Sequence, residues 1–120
     1  MRSSVYEQEL DVEATSARVT DDSLVVELED GRTIACPLAW YPRLVHAKRK
    51  HRNKIELSGL GLHWPELDED LSVRGIILGR KSGESPESFK FWLDNYKAGK
   101  HVTLEDFVRS RRTGGRKKSA

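Results

Sequence analysis

Cysteine is almost missing from this chain: Cys36 is alone among 120 residues. One thiol excludes an intrachain disulfide and any Cys-x-x-Cys metal motif. That fits a protein of the reducing cytoplasm, the location expected here. Long apolar runs are missing too. None approaches the roughly 20 residues needed to cross a bilayer. "MRSSVYEQELDVEA" lacks the apolar stretch of a signal peptide. No membrane partner is expected. The phosphate-binding glycine loop, the H-E-x-x-H pair and the serine elbow are all missing, because "GLG" and "DGR" lack the required spacing and context. The chain is therefore read as not an enzyme, with no cofactor and no metal.

Charge is abundant and segregated. Charged residues make up 33% against 37% hydrophobic, with a net charge of only +2. That small sum hides a dipolar chain. Residues 1–36 carry nine acids against Arg2, Arg18 and Arg32. Residues 43–54 carry six Lys and Arg and no acid, and residues 109–118 do the same. Such basic runs suit an acidic protein or a nucleic acid.

The length suggests one domain. "SARVT", "LVVEL" and "RTIACPL" alternate with the two-residue strand period, separated by "DDS" and "EDGR". Asp30-Gly31 signals a tight hairpin, expected as type I′ with positive φ at both central residues. Pro37 ends this meander. "AWYPRLVHAKRKHRN" reads as the main helix, starting near Ala39 or Trp40 with Pro42 in its first turn. "KIELSGLGLHW" reads as a strand bent at its glycines, and "LSVRGIILG" as a central strand. Beyond "KSGES", Ser85 is a fitting N-cap with Pro86 at N1. Phe89, Trp92, Leu93 and Tyr96 then form one apolar helical stripe that stops at Gly99. Thr103 and Asp106 resemble a capping box, with Asp in place of Glu, opening a second short helix. The fold expected is α+β: a small antiparallel sheet, meander plus two later strands, with one main helix. The expected organisation is a flexible acidic N-terminus over 1–13, the α+β domain over 14–80, a helical extension over 81–112 and a disordered basic tail over 113–120.

The stretch "GLHWPELDED" poses the sharpest chemical question. His63 with Glu66, Asp68, Glu69 or Asp70 could form a metal site. The alternating acids and central glycine of a calcium loop are absent. The stretch is read instead as a strand ending in Trp64, broken by Pro65, with its acids solvated, capping or paired to the basic helix. Cys36 on an alternating strand face reads as core rather than as a nucleophile served by His46 or His63.

"DGRTIACPLAWYPRLVHA" followed by "GLHWPELDEDLSVRGIILG" resembles a bacterial family known as domain of unknown function 2442, across roughly residues 14–80. The pattern is a D-G-R hairpin, a Pro-Leu-x-Trp-[Tyr/Phe]-Pro-Arg-Leu helix start and a Gly-x-x-Trp-x-x-[Leu/Val]-Asp-Glu-Asp-[Leu/Ile]-Ser-Val block. The resemblance implies a small α+β domain with an antiparallel sheet and one main helix. Members of the family resemble components of toxin–antitoxin-type gene pairs, and some carry a following helix-turn-helix domain, which is not evident here. "KRKHRN" departs from the family's usual Thr-Pro-Glu-Gln stretch. "WLDNYKAGKHVTLEDFVRSRR" is similar to the ends of small antitoxins, which wrap a toxin.

Together these readings point to a non-enzymatic interaction protein, antitoxin-like, from a bacterial gene pair. Its partner, toxin-like or a host complex, would be met through Phe89, Trp92, Leu93, Tyr96 and Phe107. The alternative is nucleic-acid binding, or phage or mobile-element inhibition of a nucleic-acid machine. That alternative would act through Arg43, Lys48, Arg49, Lys50, Arg52, Arg109, Arg111 and Arg112. Nothing in the sequence fixes the oligomeric state.

Overall fold

The computed structural model describes residues 10–119, with side chains as far as Arg112. The chain divides at Ser82/Gly83 into two units.

The first unit holds two three-stranded antiparallel sheets rather than a single sheet. β1 (Ala14–Val19), β2 (Ser23–Leu28) and β3 (Thr33–Pro37) form the meander expected from the alternation. Its register sets Val19 against Leu24 and Leu24 against Cys36. The β2/β3 turn corrects the type I′ expectation. Gly31 has φ 95°, whereas Asp30 is not among the positive-φ residues. Gly31 N–H donates to the Leu28 carbonyl, and Leu28 N–H to that of Arg32. This is a type I turn followed by a left-handed glycine, the three-residue hairpin solution. Asp30 stabilises it by accepting from both the backbone and the Nε of Arg32. Those hydrogen bonds hold the Asp30 carboxyl below its usual range.

β4 (Glu56–Ser58), β5 (Gly61–Trp64) and β6 (Glu69–Ser72) form the second sheet. The expected bend in "KIELSGLGLHW" is a full reversal at Gly59-Leu60, with Gly59 at φ 55°. Two further expectations are overturned nearby. Glu69 and Asp70 belong to a strand, not to a polar loop. "LSVRGIILG" is not a strand: after Ser72 it becomes helix α3 (Val73–Ile77). The Ser72 hydroxyl accepts from Gly75 N–H at 2.9 Å and so caps that helix. Val73 and Ile76, three apart, become its buried side. A run of β-branched residues suggested a strand, and the cap with the helical spacing prevailed.

The expected single main helix is also broken. A 3₁₀ turn (Leu38–Trp40) precedes α1 (Pro42–His46), which has Pro42 in its first turn as expected. Ala47 and Lys48 then turn extended before α2 (Arg49–Arg52). A continuous helix would stack Lys48 and Arg52 one turn apart, which like charges oppose. The break lets Arg52 fold back instead. Its Nε donates to the Leu44 carbonyl at 2.8 Å and its Nη2 to that of Val45. The last carbonyls of α1 thereby gain the partners a helix C-terminus lacks.

Tyr41, Leu44, Leu62, Trp64, Leu67 and Val73 are fully buried together with Leu24 and Val26 of the meander. Each such side chain contributes about 1.5–3 kcal/mol by leaving water. The expected free leader over 1–13 ends in packed side chains. Leu10 and Val12 are buried, and Asp11 pairs with Arg74. Residues 1–9 lie outside the described residues.

The second unit is a pair of helices, α4 (Pro86–Lys97) and α5 (Leu104–Ser119). Ser85 caps α4 by accepting from Ser88 N–H at 3.1 Å, with Pro86 at N1. Gly99, at φ 77°, ends it. Its N–H donates to Tyr96 and that of Lys100 to Asn95. This pair of bonds is the Schellman arrangement. Thr103 and Asp106 form the reciprocal box expected: Asp106 accepts from Thr103 N–H at 2.9 Å, and Thr103 Oγ1 from Asp106 N–H at 3.2 Å. The expected tail, 113–120, falls on residues whose side chains lie outside those described; the α5 backbone runs to Ser119.

Candidate functional site

Arg43 and the turn after Trp64 form the most constrained polar feature of the first unit. Trp64 is fully buried, and its Nε1 donates to the Arg52 carbonyl at 2.8 Å. Leu67, three residues on, is buried as well. The chain then turns through Asp68, the one non-glycine residue at positive φ (48°) among those described. Arg43 Nη1 donates to the carbonyls of Leu67 and Asp68 at 2.9 and 3.0 Å. "YPRL" and "WPELD" are thus two halves of one structural lock.

That lock decides the fate of several predicted cations. Arg43 and Arg52 are committed to backbone carbonyls. Arg49 pairs with Asp21 at 3.1 Å and Lys54 approaches Glu66 at 3.9 Å, both at exposed positions. Such pairs are worth about 0–1 kcal/mol each. Lys48 and Lys50 stand exposed on and beside α2. His51, among these cations, is held below its ordinary 6.5, first by desolvation and then by Lys50, Lys54 and Lys48, with Glu66 opposing.

The acids of "PELDED" disperse. Asp70 lies across from His63 on the outer face of the second sheet, and its Oδ1 is 2.7 Å from His63 Nδ1. Glu66 meets Lys54, and Asp68 is held in the turn. Among the described residues, no three His, Cys, Asp or Glu side chains converge to hold a metal ion. Cys36 is buried, with its Sγ 3.9 Å from the Ile76 carbonyl. Burial, then the neighbouring Cys36, pushes the Tyr41 phenol above its ordinary range.

In the helical unit the aromatic stripe is engaged with itself. Trp92 is buried and stacks on Tyr96 at 4.7 Å, with Phe89 at 6.0 Å. Leu93 is half-buried. Phe107 meets Phe91 at 5.6 Å, and Arg111 lies over the Phe107 ring. Phe91 was not on the expected stripe; a helix–helix partner is set by the turn between helices, which periodicity within one helix does not encode. The large apolar side chains left exposed on α5 are Leu104, 67% accessible, and Val108, 42%. Arg111 and Arg112 continue their face at helical spacing. Arg109 pairs with Asp106 at 3.5 Å.

The body is therefore a two-sheet α+β domain closed by an arginine-held turn. The chain belongs to the family described as protein of unknown function (DUF2442), whose model matches residues 14–82. It is also similar to a protein of unknown function from Rhodospirillum rubrum ATCC 11170, known from a crystal structure. The two are 32% identical with a TM-score of 0.54, over 61% of this chain and 93% of that one. No curated protein matches. No helix among the described residues is long and apolar enough to cross a membrane.

Proposed function

We propose that this chain is a non-enzymatic interaction module, an antitoxin-like partner-binding protein of a bacterial gene pair. In this reading the α+β body is the folded platform and the helical unit meets the partner. The observation that carries it is the face of α5. Leu104 and Val108 lie exposed one turn apart, followed on the same face by Arg111 and Arg112. Isolated exposed leucines need no explanation, but an apolar pair continued by cations suits helix-in-groove docking. The partner it fits is a protein groove with an apolar floor and an acidic rim. Within the unit, Trp92 stacks on Tyr96 and Phe107 meets Phe91. The expected docking residues Phe89, Trp92, Leu93, Tyr96 and Phe107 thus also support the helix pair that presents this face.

The test is purification of tagged protein from its own host at low salt, with and without nuclease. A Leu104→Glu/Val108→Glu variant is carried in parallel. A stoichiometric protein that survives nuclease and is lost from the variant is the expected result. Retention of that protein by the variant would overturn the docking face. Recovery of nucleic acid alone, lost with nuclease or rising salt, would move the assignment to nucleic-acid binding.

A further inference from the structure

We propose that α5 pairs with α5 of a second copy of this chain, antiparallel about a two-fold axis beside Val108. This goes beyond the docking reading and does not depend on it. A second copy and a different protein would compete for one face.

The helical period lays out that face. Leu104 and Val108, one turn apart, are the large apolar side chains left exposed on α5. Glu105 and Arg112 are exposed too, and seven residues, two turns, separate them. They therefore lie on one line along the helix, on the same flank of Val108, and the midpoint of that line is level with Val108. Among the described residues neither side chain enters an ion pair, whereas Asp106 and Arg109 pair with each other. Phe107 occupies the side turned to α4, where it meets Phe91. The acids of α5 stand in its first turn, and its cations follow from Arg109.

Opposite charges at the two ends of one line fit a copy of that line run backwards. A two-fold axis beside Val108 reverses the second helix, so the same flanks of the two helices meet. Glu105 then stands beside Arg112 of the second copy, and Arg112 beside its Glu105. Val108 meets its own counterpart at the axis. Leu104 lies one turn away, against the aliphatic stems of Arg111 and Arg112 of the copy, whose charged heads stay in water. A parallel pair fails here. It sets Arg111 and Arg112 of both copies at one level, where like charges repel. A single helix face is well short of the roughly 1,200–2,000 Å² that a stable interface buries, so the pairing is weak and depends on concentration. It leaves the face open to another protein when the chain is dilute and covers it when the chain is concentrated.

The test is sedimentation equilibrium of the full chain at low salt, over roughly 10 µM to 1 mM, the range of weak pairing. The wild type is expected to pass from monomer to dimer. Val108→Glu should weaken the dimer by roughly tenfold or more, since it sets two like charges at the axis. Glu105→Arg and Arg112→Glu should each weaken it by roughly threefold or more, because each places like charges side by side. Mixed in equal amounts, these two variants should regain a dimer at least as tight as the wild type. A loss of helix within either chain is not repaired by mixing, so the mixture separates pairing from folding. A monomer at every concentration, an unaffected Val108→Glu, single charge variants as tight as the wild type, or a mixture no tighter than its components would overturn the proposal. The docking reading would survive each of these results, because it is tested on the protein recovered from the host.

Discussion

Arg43 holds the turn at Asp68 from 25 residues away in sequence, donating through one nitrogen to the Leu67 and Asp68 carbonyls at 2.9 and 3.0 Å. The turn places Glu69 and Asp70 at the start of β6, and so sets Asp70 opposite His63. A cation expected from the sequence as a possible nucleic-acid contact thus also acts as a structural clamp.

Replacing Arg43 by Ala removes a charged donor from two carbonyls. Hydrogen bonds to charged groups contribute about 1.5–3 kcal/mol. Denaturant unfolding of the variant should show a loss of that size, and Arg43→Lys should recover only part of it. An unchanged midpoint for Arg43→Ala would show that the clamp contributes nothing.

Asp68 sits at φ 48°. Asp and Asn tolerate this region and glycine adopts it freely, whereas a β-branched residue is strained there. Asp68→Gly should therefore unfold near the wild-type midpoint. Asp68→Val should lose about 1–2 kcal/mol. Equal midpoints for the two variants would remove backbone strain as the explanation.

Gly75 is tied to the cap of α3. A Cβ there would lie 2.8 Å from Ser72 Oγ, the atom that accepts from Gly75 N–H. Alanine normally favours a helix, but here it must displace the cap. Gly75→Ala is expected to cost about 0.5–2 kcal/mol, the value of a lost cap. Ser72→Ala should cost a similar amount, and the double variant little more than either alone. Full additivity in thermal unfolding would separate the two effects.

Acid should act on the two units at different pH. His51 is held below 6.5 in the folded state, so its proton is bound more tightly by the unfolded chain. Its contribution is present above 6.5 and is lost as pH falls through that value towards the folded pKa. Asp106 is held below 3.8, chiefly by the Thr103 N–H, so its contribution persists above 3.8 and is lost only below it. Unfolding midpoints of the body should fall between neutral and mildly acidic buffer, and less so in His51→Gln. The start of α5, followed at the Thr103 amide, should change only in stronger acid. A His51→Gln variant with the wild-type pH slope would refute the first half.

Much of the local structure was legible from the sequence. Alternation placed the meander, and its capping residues placed both ends of α4 and the start of α5. Failures arose where local patterns conflict with long-range contacts. "LSVRGIILG" has strand composition, yet a serine cap and a three-residue spacing of buried side chains made half of it a helix. "AWYPRLVHAKRKHRN" has no breaker after Pro42, yet it splits at Ala47, where Arg52 can return to cap α1. The aromatic stripe on α4 is legible from its spacing, whereas the Phe91–Phe107 contact is not, because the turn between the helices sets it.

The sequence by itself determined the family, the α+β class and the caps, since these depend on residue types a few positions apart. The tertiary structure decided which charges hold backbone groups and which meet other side chains. Arg43 and Arg52 are spent on carbonyls, and the acids of "PELDED" are divided between a turn, an ion pair and a sheet face. That division depends on which distant backbone groups would otherwise be left without partners, and only the folded chain brings those groups together.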